Sequence, residues 1–505
     1  MRKPPVLTVV LGVFAALLAI APLGYLVLRL LEGFEVAATE LSRPRTFELL
    51  GNTVLLVVSV SLTALVVGVV QAWFGVRTNL NYPGFYAVVA TVPLAIPSYV
   101  LALGYSSIFP WFSGFWASWL VLSMATAPYV FLAVSASLLR VDIAAEEVGR
   151  SLGYSRLQVF LKITWPQIRT SATAAVLLVA LYVLSEFGAI ALLRFDTFTR
   201  AIYNAYRSSF DRTAAASLAI VLVGLTLTIL LLERRYRGDY LLQRPANSRR
   251  LRQELGRMQT PVTLLLALFG LLGAGLPMAA IINWTLVGSS STDFGNLLVA
   301  TLTSVGIATL AAALVSIFAL AVAIWVVLHK TRFGGFIEGL LWSNHALPAL
   351  VVGLALVFFG ANVTPWIYQS IWLLMIAYLI LFLPNGLAAM STPLAQVPKG
   401  LTEVSQSLGE SYRKTLSKVI LPIASPGLIA ASALVMLTVL KELPATLLLR
   451  PTGAETLATR MWSATEELAY AQAAPFALVL VIIAGLPALA LNASVRKTYS
   501  EVNDA

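Results

Sequence analysis

The chain has 505 residues, of which 59% are hydrophobic and 11% are charged. Soluble domains contain about 45–50% apolar and about 25% charged residues, so this composition excludes a water-soluble enzyme and indicates a membrane protein. The absence of cysteine and the presence of two histidines exclude disulfides, thiolate metal sites and multi-histidine metal clusters. In a membrane protein, a net charge of +11 is typical of basic cytoplasmic loops rather than of nucleic-acid binding.

Apolar runs long enough to cross a bilayer recur along the chain. Because about 20 apolar residues span the hydrocarbon core as a helix, we predict an all-α polytopic protein with about 12 transmembrane helices. The first run is longer than the core of a signal peptide and lacks a clear small-residue cleavage site, so it is counted as a span. The twelve predicted runs are Val6–Leu31, Val54–Val76, Phe85–Ile108, Phe115–Leu138, Ser171–Leu193, Thr213–Leu232, Val262–Trp284, Leu297–Leu328, Phe336–Ala361, Ile371–Met390, Leu428–Leu449 and Pro475–Leu491.

A basic linker separates the two halves of the chain. Residues 233–260 contain eight arginines against three acidic residues. The positive-inside rule places this linker and both chain termini in the cytoplasm. We interpret the linker as a topology anchor beside anionic lipid headgroups rather than as a nucleic-acid site. The predicted division is a first transmembrane module at residues 1–232, the linker at 233–260 and a second module at 261–505.

The two halves share a repeated segment. Residues 147–194 align without a gap on residues 403–450, and 20 of the 48 aligned positions are identical. Six predicted spans separate the copies, which therefore cross the membrane in the same direction. This arrangement predicts two six-helix modules related by a pseudo-two-fold axis along the membrane normal. The matching charged, glycine and proline positions include Glu147 with Glu403, Gly153 with Gly409, Pro166 with Pro422, Glu186 with Glu442, and Arg194 with Arg450.

Each copy opens with a loop on the predicted cytoplasmic side. We interpret it as a short helix, a turn permitted by Gly153 or Gly409, and a second short amphipathic helix that stops near Pro166 or Pro422. Contact with lipid would explain one amphipathic helix. Two copies with the same glycine and proline spacing favour a common functional role instead.

This loop resembles the coupling loop of ATP-binding-cassette importer permeases. Val148-Gly149 and Val404-Ser405 stand where that family usually has Ala-Ala, and Trp165 replaces a leucine. The resemblance implies a fold like that of type I importers and docking on a cytoplasmic ATPase, expected as a homodimer that binds ATP and magnesium. No phosphate-binding Gly-x-x-x-x-Gly-Lys-Ser/Thr motif occurs, so this chain is expected to bind no cofactor and to be no enzyme by itself. The positions implied to couple to the ATPase are Glu147, Gly153, Ile163, Pro166, Glu403, Gly409, Val419 and Pro422.

Further segments resemble the fused two-module permeases of ferric-iron importers. They lie at residues 185–203, 441–451 and 455–462. The resemblance implies Fe³⁺ as substrate, a periplasmic or extracellular substrate-binding protein, and a bacterial inner-membrane location. Importers of thiamine, polyamines or aminoalkylphosphonates share this architecture and stay open as alternatives. A secondary transporter driven by an ion gradient is the rival class.

Two acidic residues occupy equivalent positions of the repeat within predicted spans, where ionisable groups are costly and are candidates for function. Glu186 and Glu442 are expected near the outer mouth, where carboxylate oxygen would suit transient binding of Fe³⁺ as a hard cation. Structural pairing, with Lys441 and the outer arginines Arg194 and Arg450 nearby, and contact with the binding protein are the alternatives. Tyr203 and Tyr206 could add phenolate oxygen or anchor the chain at the interface.

The third spans of the two halves contain three further candidate residues. Pro97 and Pro348 lie in the corresponding third spans of the two modules and predict paired helix kinks that could shape a gate. His345 lies close to Pro348, and we interpret it as a packing residue rather than as a ligand.

Overall fold

The computed structural model describes residues 4–207, 212–237, 253–288, 293–344 and 347–485. These residues are mainly helical and form no strand, apart from an isolated bridge between Thr78 and Gln253. The prediction of an all-α fold is therefore confirmed.

The helices of the first half range from single turns to spans of 34 residues. A π-helical segment, Phe160–Thr164, joins α8 to α9. The helices are α1 Val6–Glu32, α2 Phe34–Ser42, α3 Pro44–Arg77, α4 Pro83–Thr91, α5 Ser98–Ile108, α6 Gly114–Leu138, α7 Ile143–Ser151, α8 Arg156–Val159, α9 Trp165–Ser185, α10 Gly188–Leu192, α11 Phe198–Arg207 and α12 Arg212–Arg237.

The helices of the second half follow in the same order. Here π-helical segments join α13 to α14, extend α15 to His329, and join α20 to α21. The helices are α13 Gln259–Gly270, α14 Leu276–Val287, α15 Phe294–Ala323, α16 Arg332–Ser343, α17 Ala349–Asn362, α18 Ile371–Gln396, α19 Lys399–Ser407, α20 Tyr412–Thr415, α21 Leu421–Leu440, α22 Pro444–Leu449, α23 Leu457–Glu466 and α24 Tyr470–Gly485.

Each of the twelve predicted apolar runs overlaps a helix. Within the described ranges, nine helices are long and apolar enough to cross a membrane, and a tenth span is the pair α4–α5, bent by 90°. The apolar helices α17 and α24 are shorter than that criterion requires. The chain is thus a multi-pass membrane protein, and its third span in the first half is broken rather than straight.

The chain forms two compact units. The first contains Met1–Glu35 and Asp293–Arg460. In it, α1 packs along α15, α16, α17 and α18. The ring of Tyr25 lies 4.8 Å from that of Phe358, and the Arg29 guanidinium stacks 4.3 Å above the same phenylalanine. The opening helix of the first half is therefore built into a unit of second-half helices.

The other compact unit contains Val36–Thr292 and Met461–Ala505. In it, α3 packs along α6 and α9, and α14 packs against α5. The Tyr105 hydroxyl donates a hydrogen bond to the Leu272 carbonyl at 2.6 Å. The opening helices of the second half are thus built into a unit of first-half helices. The first helix of each half packs in the unit formed mainly by the other half. The compact units therefore do not follow the module boundaries at residues 232 and 261, and that division stays a prediction.

The repeat seen in the sequence extends to the secondary structure. Helices α7, α8, α9 and α10 and the first π-segment of the loop begin 256 residues before α19, α20, α21, α22 and the corresponding π-segment. Equivalent positions in the two halves therefore adopt equivalent local structure.

Candidate functional site

Two repeated loops form the first part of the candidate site: loop A, residues 143–166, and loop B, residues 399–422. In loop A, the Asp142 side chain caps α7 by accepting the Ala144 N–H at 3.0 Å. Ser155 and Gln158 form a capping box that starts α8. In loop B, Ser411 caps α20 in the same way as Ser155 caps α8. Side-chain caps satisfy N–H groups that the first helical turn leaves free, so local sequence defines both helix starts.

A glycine makes the turn in each loop. Gly153 has φ +83° and Gly409 has φ +82°, a region that residues with a side chain rarely adopt. Nothing lies within 4 Å of a side chain added at either position, so the backbone angle and not packing requires glycine. The predicted turns are found at both glycines.

The loops expose matching apolar side chains. Val148 and Leu152 of loop A are 57% and 70% exposed, and their equivalents in loop B, Val404 and Leu408, are 58% and 78% exposed. Glu147 is also exposed, whereas the side chain of Glu403 lies outside the described part. Large apolar groups held outward at repeated positions are typical of a protein contact surface.

The aliphatic residues of the loops are partly buried, and the prolines do not end the second loop helix as predicted. Ile163 and Val419 are half-buried, and a Cβ on Gly149 would collide with Ile163, so α7 lies directly on that side chain. The prediction that the second helix stops near Pro166 or Pro422 is wrong. Each proline lies in the first turn of α9 or α21, directly after a π-helical segment. Proline is tolerated in a first turn because it has no N–H to donate, so the helix continues through it.

A buried ion pair anchors loop A. Arg77, the last residue of α3, places Nη2 3.0 Å from Oε1 of Glu146. The Thr164 hydroxyl donates to the same oxygen at 2.6 Å. All three side chains are buried, and removing one partner of a buried pair costs about 3–5 kcal/mol. Sequence reasoning missed this anchor, although an arginine at the end of an apolar run and a doubled glutamate were visible signals.

Glu186 and Glu442 stand at helix breaks rather than inside helices. Helices α9 and α21 end at Ser185 and Leu440, short of the predicted span ends, and α10 and α22 begin two residues after the glutamates. The Glu186 carboxylate accepts the Ala189 N–H at 3.0 Å. Glu442 accepts the N–H groups of Ala445 and Thr446 at 2.8 and 2.9 Å and the Thr446 hydroxyl. Both carboxylates therefore cap the next short helix.

The arginines at the outer side do not use these glutamates in the described contacts. Arg450 lies 3.4 Å from Glu455, which also pairs with Arg460. Arg194 is exposed and has a left-handed backbone, φ +57°, just after α10. The conserved register of the repeat thus places the two arginines at equivalent chain positions with different surroundings.

Tyr203 belongs to an aromatic cluster. Its ring lies 4.6 Å from the ring of Phe187, which lies 5.3 Å from that of Trp462. Arg207 donates to the Tyr203 hydroxyl at 2.7 Å and forms an ion pair with Glu466 at 2.8 Å. Burial raises the pKa of the Tyr203 hydroxyl, which disfavours the phenolate form that a metal ligand requires. Tyr206 is half-buried on the same helix.

The contacts of this cluster join equivalent positions of the repeat. Helices α11 and α23 begin at Phe198 and Leu457, so Tyr203 corresponds to Trp462 and Arg207 to Glu466. Trp462 lies against Tyr203, and Arg207 pairs with Glu466. Residues related by a two-fold axis can touch each other only near that axis. The cluster therefore joins residues at equivalent positions of the repeat, as the predicted pseudo-symmetry would allow.

The third spans contain paired breaks at the predicted prolines. Pro97 precedes α5 with ψ 140°, and Pro348 precedes α17 with ψ 138°. An extended backbone at these residues interrupts the helix fully, a stronger effect than the predicted kinks. His345 lies outside the described residues. In the described part of the chain, no three His, Cys, Asp or Glu side chains come together to hold a metal ion.

Comparison with known proteins shows the family to which the sequence is similar. The profile of the binding-protein-dependent transport system inner membrane component matches residues 82–237 and 316–498. The chain is 34% identical to the Fe(3+)-transport system permease protein FbpB 2 of Haemophilus influenzae, covering 97% of this chain and 99% of that protein.

Two further relatives match shorter parts of the chain and have other names. The molybdate/tungstate transport system permease protein WtpB of Thermococcus kodakarensis is 28% identical over 44% of this chain and 92% of its own length. The putative 2-aminoethylphosphonate transport system permease protein PhnV of Salmonella paratyphi A is 28% identical over 33% of this chain and 65% of its own length. The resemblance to importer permeases is confirmed, as is the expectation of a permease rather than an enzyme. The chain belongs to the family of binding-protein-dependent transport system inner membrane components.

Proposed function

We propose that this chain is the membrane-spanning subunit of an ATP-driven, binding-protein-dependent importer of ferric iron. The similarity to the iron permease of Haemophilus influenzae over 97% of the chain carries the proposal of substrate. The repeated loops support the proposal of an ATP-driven partner, because they present the same exposed apolar side chains from the same local fold.

The two loops support docking of two identical ATPase subunits. Val148 and Leu152 in loop A and Val404 and Leu408 in loop B would each enter an apolar cleft on one subunit, with Glu147 at its edge. Movement of those subunits on binding and hydrolysing ATP would displace both loops. Because α8 and α20 continue through π-segments into the transmembrane helices α9 and α21, a displaced loop would move a span directly.

The proposed function requires one orientation of the chain in the inner membrane. In this proposal the basic linker, both termini and the two loops are on the cytoplasmic side, and the aromatic cluster around Tyr203 faces the outside, where a binding protein would deliver iron. A cysteine introduced in place of Leu152 should react with a membrane-impermeant reagent only from the cytoplasmic side, since the chain has no other cysteine.

A substrate panel on the reconstituted complex tests the function. Proteoliposomes holding this chain, its ATPase and one binding protein at a time would be supplied with Fe³⁺, thiamine, spermidine, 2-aminoethylphosphonate or molybdate. We expect Fe³⁺ with its binding protein to give the largest stimulation of ATP hydrolysis and ATP-dependent uptake. Equal or greater stimulation by another compound would overturn the iron assignment.

The same vesicles test the rival mechanism. Uptake by this chain alone, driven by a proton gradient without ATPase or ATP, would identify a secondary transporter and contradict the whole proposal. We expect no uptake under that condition.

A further inference from the structure

The two loops differ in the contacts that join them to the neighbouring helices. In loop A, the buried Arg77–Glu146 pair ties α7 to the end of α3, across 69 residues of sequence. Thr164, at the end of the π-segment, donates to the same Glu146 oxygen. One carboxylate therefore joins a long transmembrane helix, the exposed loop helix and the start of α9.

Arg77 is also joined to the inter-module linker. Its carbonyl accepts the Gln253 N–H at 2.8 Å, and the Asn79 N–H donates to the Gln253 carbonyl at 3.1 Å. The Asn79 side chain accepts the Leu255 N–H at 2.9 Å. The end of α3, on which loop A is anchored, is thus held by backbone contacts as well as by its charge.

Among the described side chains of loop B, the contacts at the corresponding places are neutral, and Thr402 stands at the position equivalent to Glu146. The second long helix ends through its π-segment at His329, whose buried ring meets that of Tyr412 at 5.3 Å. Ser405 and Thr415 share a hydrogen bond of 3.0 Å across the loop. Thr164 has Ile420 as its equivalent, which cannot donate a hydrogen bond. Lys414 pairs with Glu410 at 3.1 Å, but this pair is exposed and lies within the loop.

We propose that Arg77 and Glu146 are positioning residues that hold loop A rigidly on α3, while loop B is held by weaker neutral contacts and yields first. The proposal rests on the proposed function, in which both loops receive force from an ATPase. Its consequence is that transport depends on the Arg77–Glu146 pair, although neither residue is exposed to the partner.

Spin labels test the mechanical part without any partner. The cysteine-free chain allows a single label at Leu152→Cys in loop A or at its equivalent Leu408→Cys in loop B. We expect Arg77→Met to increase label mobility at residue 152 and to leave mobility at residue 408 unchanged. The matched control is Lys414→Met, which breaks the exposed pair of loop B and should alter neither label because exposed pairs contribute little.

The coupling part is tested in the reconstituted complex. We expect Arg77→Met to lower uptake about tenfold while ATP hydrolysis continues, so that the ATP used per transported ion rises by the same factor. If Arg77→Met fails to insert, Arg77→Lys keeps the charge without the same geometry and is measured instead, with a smaller change in the same direction.

Each result has one meaning. Unchanged mobility at residue 152 would overturn the anchor, and increased mobility with unchanged ATP use per ion would overturn its role in coupling. If labels at residues 152 and 408 in the chain with Arg77 intact keep the same mobility when an ATPase is added, the proposed function fails. The mobility measured without a partner still shows whether Arg77 and Glu146 hold loop A.

Discussion

At the scale of single residues, Gly153 and Gly409 give the most direct prediction about the loops. Both have φ above +80°, where a residue with a side chain is strained by about 1 kcal/mol, and proline cannot adopt the angle at all. We expect Gly153→Pro or Gly409→Pro to abolish stimulation of the ATPase while the protein still inserts into the membrane. Stimulation and the amount of inserted protein are measured on the same preparation.

A glycine in the same loop provides the control for that experiment. Gly400 of α19 has open space around it and an ordinary helical angle, so Gly400→Ala should leave ATPase stimulation unchanged. Normal stimulation in both proline variants would show that the turns are dispensable.

Glu442 allows a residue-scale test that separates a cap from a charge. Alanine removes the acceptor for the Ala445 and Thr446 N–H groups, whereas glutamine keeps one oxygen and loses the charge. We expect Glu442→Ala to lower the apparent melting temperature more than Glu442→Gln, since losing such a cap costs about 1 kcal/mol. Equal melting temperatures would argue against the cap.

The substrate role of the two glutamates stays a prediction with its own test. The double variant Glu186→Gln with Glu442→Gln retains cap acceptors, so a fall in iron uptake per assembled complex would be due to the lost charges. If uptake per complex stays normal, capping is the function that the carboxylates serve.

At the scale of helices, the exposed faces of the loops give a prediction about affinity. Burying a leucine side chain stabilises a contact by about 1.5–3 kcal/mol, which is about tenfold or more in a dissociation constant. We therefore expect Leu152→Ser or Leu408→Ser to weaken ATPase binding by about tenfold. Trp366→Ser, at an equally exposed apolar residue outside both loops, should not change binding. Surface plasmon resonance with the detergent-solubilised chain measures all three, and unaltered affinity in both loop variants would remove the loops from the interface.

The elements also show what the sequence could and could not provide. Apolar length located all twelve helical runs, and glycine spacing located the turns at Gly153 and Gly409, because both depend on residues close in the chain. The helix continues through Pro166 because a π-helical segment precedes it. No local sequence pattern indicates that segment, so the predicted helix end was wrong. The Arg77–Glu146 anchor joins residues 69 positions apart, and only the packing of α3 against the loop brings them together.

At the scale of the whole molecule, the exchange of opening helices explains why the sequence repeat and the compact units differ. A repeat is read from residue order, whereas compactness follows the surfaces that helices bury. Helix α1 buries its small residues against second-half helices, and α14 packs on α5 of the first half. Residue order alone contains no signal for that choice, since both halves offer helices apolar enough to cross a membrane.

The contact between repeat-equivalent residues provides the whole-molecule prediction. Tyr203 with Trp462 and Arg207 with Glu466 join α11 to α23 in the proposed outward-facing part. If alternating access moves α11 and α23 apart, these contacts must break when the outer side opens. We expect a short reducible bifunctional thiol reagent, joining Tyr203→Cys to Trp462→Cys, to stop uptake, and reductant to restore it. The pair Tyr203→Cys with Tyr206→Cys, both on α11, is the matched control and should transport normally after the same treatment. Continued uptake through a verified Tyr203–Trp462 cross-link would show that these helices move together and that the opening lies elsewhere.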